Sequence, residues 1–143
     1  MGWPSVPAPR PQRVDCGQSL SRSPPDVIPA PCPPVGPAPE QWYLPAEKLL
    51  AGNPRQSLWP HFQNAAHNFS TGHWQSEPGK WRVHYTEDEY CEILAGRSVI
   101  TSADGAARTV QAGDRFVIAR GFTGTWEVLE TTLKIYVVYE AIP

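Results

Sequence analysis

Between Asn68 and Ala141 apolar and polar residues alternate with a period of two, and the alternation breaks only at short glycine-bearing turns. That pattern predicts strands over Asn68–Gln75, Lys80–Thr86, Glu89–Ala95, Arg97–Ser102, Ala106–Gln111, Arg115–Ala119, Thr125–Glu130 and Thr132–Ala141. The connecting segments SEPG, AG, ADG, AGD and RGFTG place glycine where tight reversals need positive φ. No helical segment separates the strands, which excludes parallel βαβ units. An all-β antiparallel jelly-roll barrel then solves the problem of unpaired sheet edges. The last strand puts Leu133, Ile135, Val137 and Tyr139 on one face and Lys134, Tyr136, Val138 and Glu140 on the other. Either set can face the barrel interior.

Upstream, 13 of the 17 prolines fall within the first 45 positions. Proline fixes φ and removes a donor, so residues 1–43 read as a disordered arm and residues 44–143 as one domain. The PAPRP stretch of the arm also suits a partner's aromatic groove, which makes partner docking one functional alternative. Leu44 to Gly52 predicts one or two helical turns, with Pro45 at the first position and Gly52 as the stop. Asn53 to Asn64 reads as a polar connection.

The densest charge cluster is acidic: Glu87, Asp88, Glu89 and Glu92. A phosphate-binding surface needs clustered Lys and Arg instead, so no nucleic-acid partner is expected. An odd set of cysteines, Cys16, Cys32 and Cys91, argues against a disulfide framework and for a reducing cytoplasmic setting. No run of about 20 apolar residues occurs, and no membrane partner is expected.

Two blocks, GKWRVHYTEDEYCEILAGR and GDRFVIARGFTGTWEVLE, resemble the paired motifs of the cupin superfamily. In that pattern the first motif supplies two histidines one residue apart, then a glutamate and a glycine. Glu89 and Gly96 match the last two. Counting back from Glu89, the longer spacing puts Arg82 and His84 at the histidine positions, and the shorter puts Val83 and Tyr85 there. The second motif falls on Gly113, Ala119, Gly121 and Gly124, with a glycine in place of the third histidine. With TLKIYVVYE, the blocks are similar to the small single-domain cupins grouped with the cupin domain of (S)-ureidoglycine aminohydrolase and with the ethanolamine-utilisation cupins. The resemblance implies an RmlC-like jelly-roll barrel paired into a homodimer. It does not by itself transfer the aminohydrolase reaction, whose enzyme uses a manganese site that this chain largely lacks. Any divalent metal (manganese, iron, nickel or zinc) would have to rest on His84 and Glu89.

The candidate site is a lumen that binds a small polar molecule. Glu89 is the candidate general acid or base, Tyr85 and Lys134 complete the catalytic set, and Trp81, Arg82, Trp126 and Tyr136 contact substrate. Each residue has a plainer reading as well. Trp81 and Trp126 suit core packing as much as a stacking platform, and Glu89 suits a buried pair with Arg82 or Lys134. His84 reads first as a structural histidine and Cys91 as an inert buried thiol. His61, His67 and His73 are evenly spaced, but polar residues between them argue against one continuous strand and a metal site. The reaction class is hydrolase, lyase or isomerase, and the alternative is a non-catalytic binding or accessory module.

Overall fold

The computed structural model describes residues 26–29, 34 and 37–142. Most of the expected disordered arm, with Cys16, Cys32 and PAPRP, lies outside the described residues. Among the described residues there are nine strands: β1 (Glu40–Tyr43), β2 (Leu49–Ala51), β3 (Arg55–Gln63), β4 (Phe69–Ser76), β5 (Gly79–His84), β6 (Asp88–Ser102), β7 (Ala107–Gln111), β8 (Arg115–Ile118) and β9 (Thr123–Tyr139). All pairings are antiparallel. They close a jelly-roll barrel around two long strands, β6 and β9, which pair along their whole lengths. The first half of β6 carries β8 and its second half β7. On β9, the first half carries β5 and the second β4, and β3, β1 and β2 extend these flanks.

Several predicted elements differ. The strand pairs expected over 89–102 and 125–141 are each one continuous strand, because the chain passes Gly96 and Thr131 with only a shift of the β6/β9 register and no turn. Gly96 has φ +83°, and a Cβ there would run into the carbonyl oxygens of Thr131 and Glu130. The backbone of β6 thus presses on β9 at the corner of the barrel. The polar stretch after Asn53 is strand β3, whose buried Gln56 and Ser57 face hydrogen-bond partners rather than water. Its polarity disguises the alternation. The expected helical turns shrink to one 3-10 turn, Ala46–Lys48, because the chain straightens into β2 and pairs with β5. Glu40–Tyr43, at the end of the expected arm, pairs with β3.

Burial settles which face of β9 looks inward: Thr132, Lys134 and Tyr136 are buried, whereas Leu133, Ile135 and Val137 are only half covered. The interior is therefore divided. One end holds an apolar core of Trp81, Cys91, Ile93, Ile100, Val110, Ile118, Trp126 and Val128, and the other end is polar. Among the described residues no helix is long and apolar enough to cross a membrane.

Candidate functional site

The polar end opens as a cavity of about 500 Å³ between β3, β4, β5, β6 and β9. At its floor Lys134 opposes Ile93 across the β6/β9 pair, and its side chain runs along the strand past Cys91 to Glu89. The Nζ donates to Glu89 Oε1 at 2.7 Å and lies 3.7 Å from Cys91 Sγ. Both ion-pair side chains are under a tenth exposed, at 6 and 8 %. The ammonium also stands over two indole rings, 4.7 Å from the centroid of Trp74 and 4.6 Å from that of Trp126. Trp74 is the lateral neighbour of Lys134 on β4, and its Nε1 donates to Gln56 Oε1 at 2.9 Å. Gln56 is fixed in turn by donating to Ser76 Oγ at 2.8 Å and to the Pro54 carbonyl at 3.2 Å. A charged group taken out of water needs this much partnering.

The charges set the protonation of their neighbours. Burial lowers the affinity of Lys134 for its proton, but the negative charges beside it, those of Cys91 and Tyr85 once they ionise and that of Glu89, outweigh burial, so the pKa ends above that of ordinary lysine. Lys134 is thus a fixed cation rather than an amine nucleophile at neutral pH. Burial pushes the Cys91 thiol up to about 12 against the pull of Lys134, which leaves it a neutral, inert group. The Tyr85 phenol is likewise raised by burial, with Lys134 opposing and Glu89 adding. Tyr136 is pushed up to about 12 by burial, with Glu40 and Glu89 adding and Lys134 opposing. Two neutral phenols, both able to donate, therefore line the same cavity as the ion pair.

Of the predicted site residues, the structure gathers Glu89, Tyr85, Lys134, Trp81, Trp126 and Tyr136 around the lumen. Trp81 and Trp126 belong to the core as well, buried side by side at opposing positions of β5 and β9. Tyr136 has its place because residue 72 is glycine: a Cβ there would lie 2.5 Å from the phenol oxygen. Arg82 is exposed at the rim and donates to the Glu47 carbonyl at 3.2 Å, so Glu89 pairs with Lys134 and not with Arg82. His84 is also exposed, its Nδ1 2.9 Å from Thr123 Oγ1 on the neighbouring strand. Sequence reasoning missed Trp74 and Gln56. The signal for Trp74 was its spacing from Ser70, Gly72 and Ser76, which places all four on one strand face.

These positions decide the motif register. Trp81 and Val83 face inward and Arg82 and His84 do not, which matches the shorter spacing. The positions at which the cupin pattern holds a metal are then Val83, Tyr85, Glu89 and Gly124. An aliphatic side chain, a protonated phenol, a glycine and a carboxylate already bonded to an ammonium do not make a divalent site, which needs three or four converging donors. His84 does not join Glu89. No cluster of three or more His, Cys, Asp or Glu side chains suited to a metal occurs among the described residues. His61 and His73 instead bond each other at 2.8 Å on β3 and β4, and His67 stands apart against Gln63.

Comparison with known proteins agrees with this architecture. The model of the EutQ-like cupin domain family matches residues 63–136. A protein of unknown function of the DUF861 family from Pseudomonas syringae pv. tomato superposes with a TM-score of 0.64 at 23 % identity, covering 70 % of this chain and 43 % of that one. The chain thus spans less than half the length of that protein. EutQ of Clostridium difficile gives a TM-score of 0.54 at 19 % identity, with 62 % of this chain and 70 % of that one covered. A putative ethanolamine utilization protein Q from Salmonella typhimurium gives 0.54 at 18 %, with 61 and 71 % covered. At these identities the likeness is one of fold. No curated protein matches the chain in sequence. The family match covers more than half of the chain, includes both motif blocks and agrees with the barrel they form, and on that ground the chain belongs to the EutQ-like cupin domain family.

Proposed function

We propose that the lumen binds a small polar molecule bearing a carbonyl or anionic oxygen and acts on it by proton transfer, as a hydrolase, lyase or isomerase. The observation that carries this reading is the Lys134–Glu89 pair at the floor of a cavity of about 500 Å³. Glu89 and Cys91 take two of the three ammonium donors, leaving one for a ligand oxygen. Glu89 is the base within reach, the tryptophans exclude water, and Tyr85 and Tyr136 supply neutral donors. The manganese chemistry of a ureidoglycine-type enzyme is not part of this reading, since the donor set does not fit the metal. Glu89→Gln, which keeps shape and removes the base, is expected to retain ligand-induced thermal stabilisation and to lose turnover by about 100-fold or more. Equal turnover in wild type and variant would sink the catalytic half.

A second reading has its own support. Lys134 and Glu89 satisfy each other, as in a structural pair, which favours a non-catalytic binding module. Ligand-dependent melting shifts without turnover of any small carbonyl or carboxylate compound would select it. A homodimer in a reducing cytoplasm completes the proposal, supported by the exposed apolar Val117 of β8, Tyr90 of β6 and Tyr139 of β9 and by the free thiol of Cys91.

A further inference from the structure

The carboxylate that should hold a metal in this barrel holds an ammonium instead. Glu89 is the one ligand of the cupin pattern that the chain keeps, and its Oε1 accepts from Lys134 Nζ at 2.7 Å. The surroundings of that ammonium belong to another chemistry than a metal's. Two indole faces lie 4.6 and 4.7 Å away, Cys91 Sγ lies 3.7 Å away, and the side chain is nearly excluded from water. Trp74, which makes one of those faces, is locked by Gln56, itself 2 % exposed and bonded three ways. This is an aromatic cage with an acidic wall, the environment that recognises an alkylammonium ion. Its occupant comes from the protein's own β9.

We propose that Lys134 is a tethered replacement for the cupin metal: one positive charge, supplied by the chain, seated on the surviving ligand Glu89 and caged by Trp74 and Trp126. The assignment follows from donor geometry and stands whether or not the lumen turns anything over. A lysine ammonium differs from a divalent ion in what it offers. It carries a single charge and donates protons, so it orients an acceptor oxygen but does not generate hydroxide from bound water. The barrel has in effect exchanged a Lewis acid for a hydrogen-bond donor that cannot be chelated away.

The test is chemical rescue. Lys134→Ala removes three methylenes and the ammonium, the atoms of propylammonium. In that variant, propylammonium chloride is expected to raise the melting temperature saturably, on the order of 5 °C at saturation, while equal sodium chloride does not and wild type is unmoved. An equal response to both salts, or none to either, would overturn the cage assignment. Wild-type protein decides the matter even if the variant fails to fold. With ¹⁵N-labelled lysine, the buried ammonium resonance should persist unchanged when equimolar zinc is added, and elemental analysis of tag-free protein should show no stoichiometric manganese, iron, nickel or zinc. One divalent ion per chain, with loss of that resonance, would overturn the proposal. A ligandless lumen would leave it standing, so its failure and that of the proposed activity are separable.

Discussion

At the scale of single residues, two titratable pairs make opposite demands on the solvent. Removing one partner of the Lys134–Glu89 pair leaves an uncompensated charge, so Lys134→Met is expected to cost about 3–5 kcal/mol in chemical denaturation. Adding Glu89→Gln should recover most of that loss, because the remaining group is then neutral; an additive double variant would show that the pair is not coupled. The His61–His73 pair behaves differently. Burial, and then His61, pull the His73 pKa down to about 4, and burial lowers that of His61 too. The unfolded chain therefore binds protons at a higher pH than the folded one. Stability from this pair is fully present above about pH 6.5 and is lost as the pH falls toward 4, by about 1–2 kcal/mol after allowance for solvent. Urea titrations at pH 7 and pH 4.5 check this, and His73→Phe should flatten the difference.

At the scale of elements, the corner at Gly96 joins two halves of β6 that the sequence presents as separate strands. Gly96→Ala demands positive φ from an L side chain and drives a Cβ into the carbonyls of Glu130 and Thr131. A loss of several kcal/mol, on the order of 3, is expected in the melting curve, and a near-neutral result would contradict the bend. Glycine turns and alternation agree at β5, β7 and β8, which made them legible. The motif blocks also put Glu89 at the start of an inward-facing strand. Strand β3 was not legible, because Gln56 and Ser57 are buried and polar, and a periodicity read from hydrophobicity passes over them. The inward face of β9 was undecided for the same reason: lysine and tyrosine point into this barrel and Leu133, Ile135 and Val137 toward its outside. Trp74 and Gln56 escaped notice because their roles rest on contacts between residues far apart in sequence.

At the scale of the whole molecule, the barrel has an apolar end that holds it together and a polar end free to change its chemistry. The exposed Val117 of β8, Tyr90 of β6 and Tyr139 of β9 favour self-association, and sedimentation equilibrium of the full chain is expected to give twice the monomer mass. Val117→Lys should shift the distribution toward monomer without lowering the melting temperature, since Val117 is 63 % exposed; a wild-type monomer at micromolar concentration would end the dimer proposal. The two long strands carry a further consequence for how this chain tolerates being cut. Because β6 and β9 each run through both ends of the barrel, neither end is a contiguous piece of chain. New termini opened at Gly96 or Thr131 would sever a strand shared by both ends, whereas termini opened in the exposed turn at Gly105 would interrupt no pairing, which makes that turn the place to reconnect this chain in a different order.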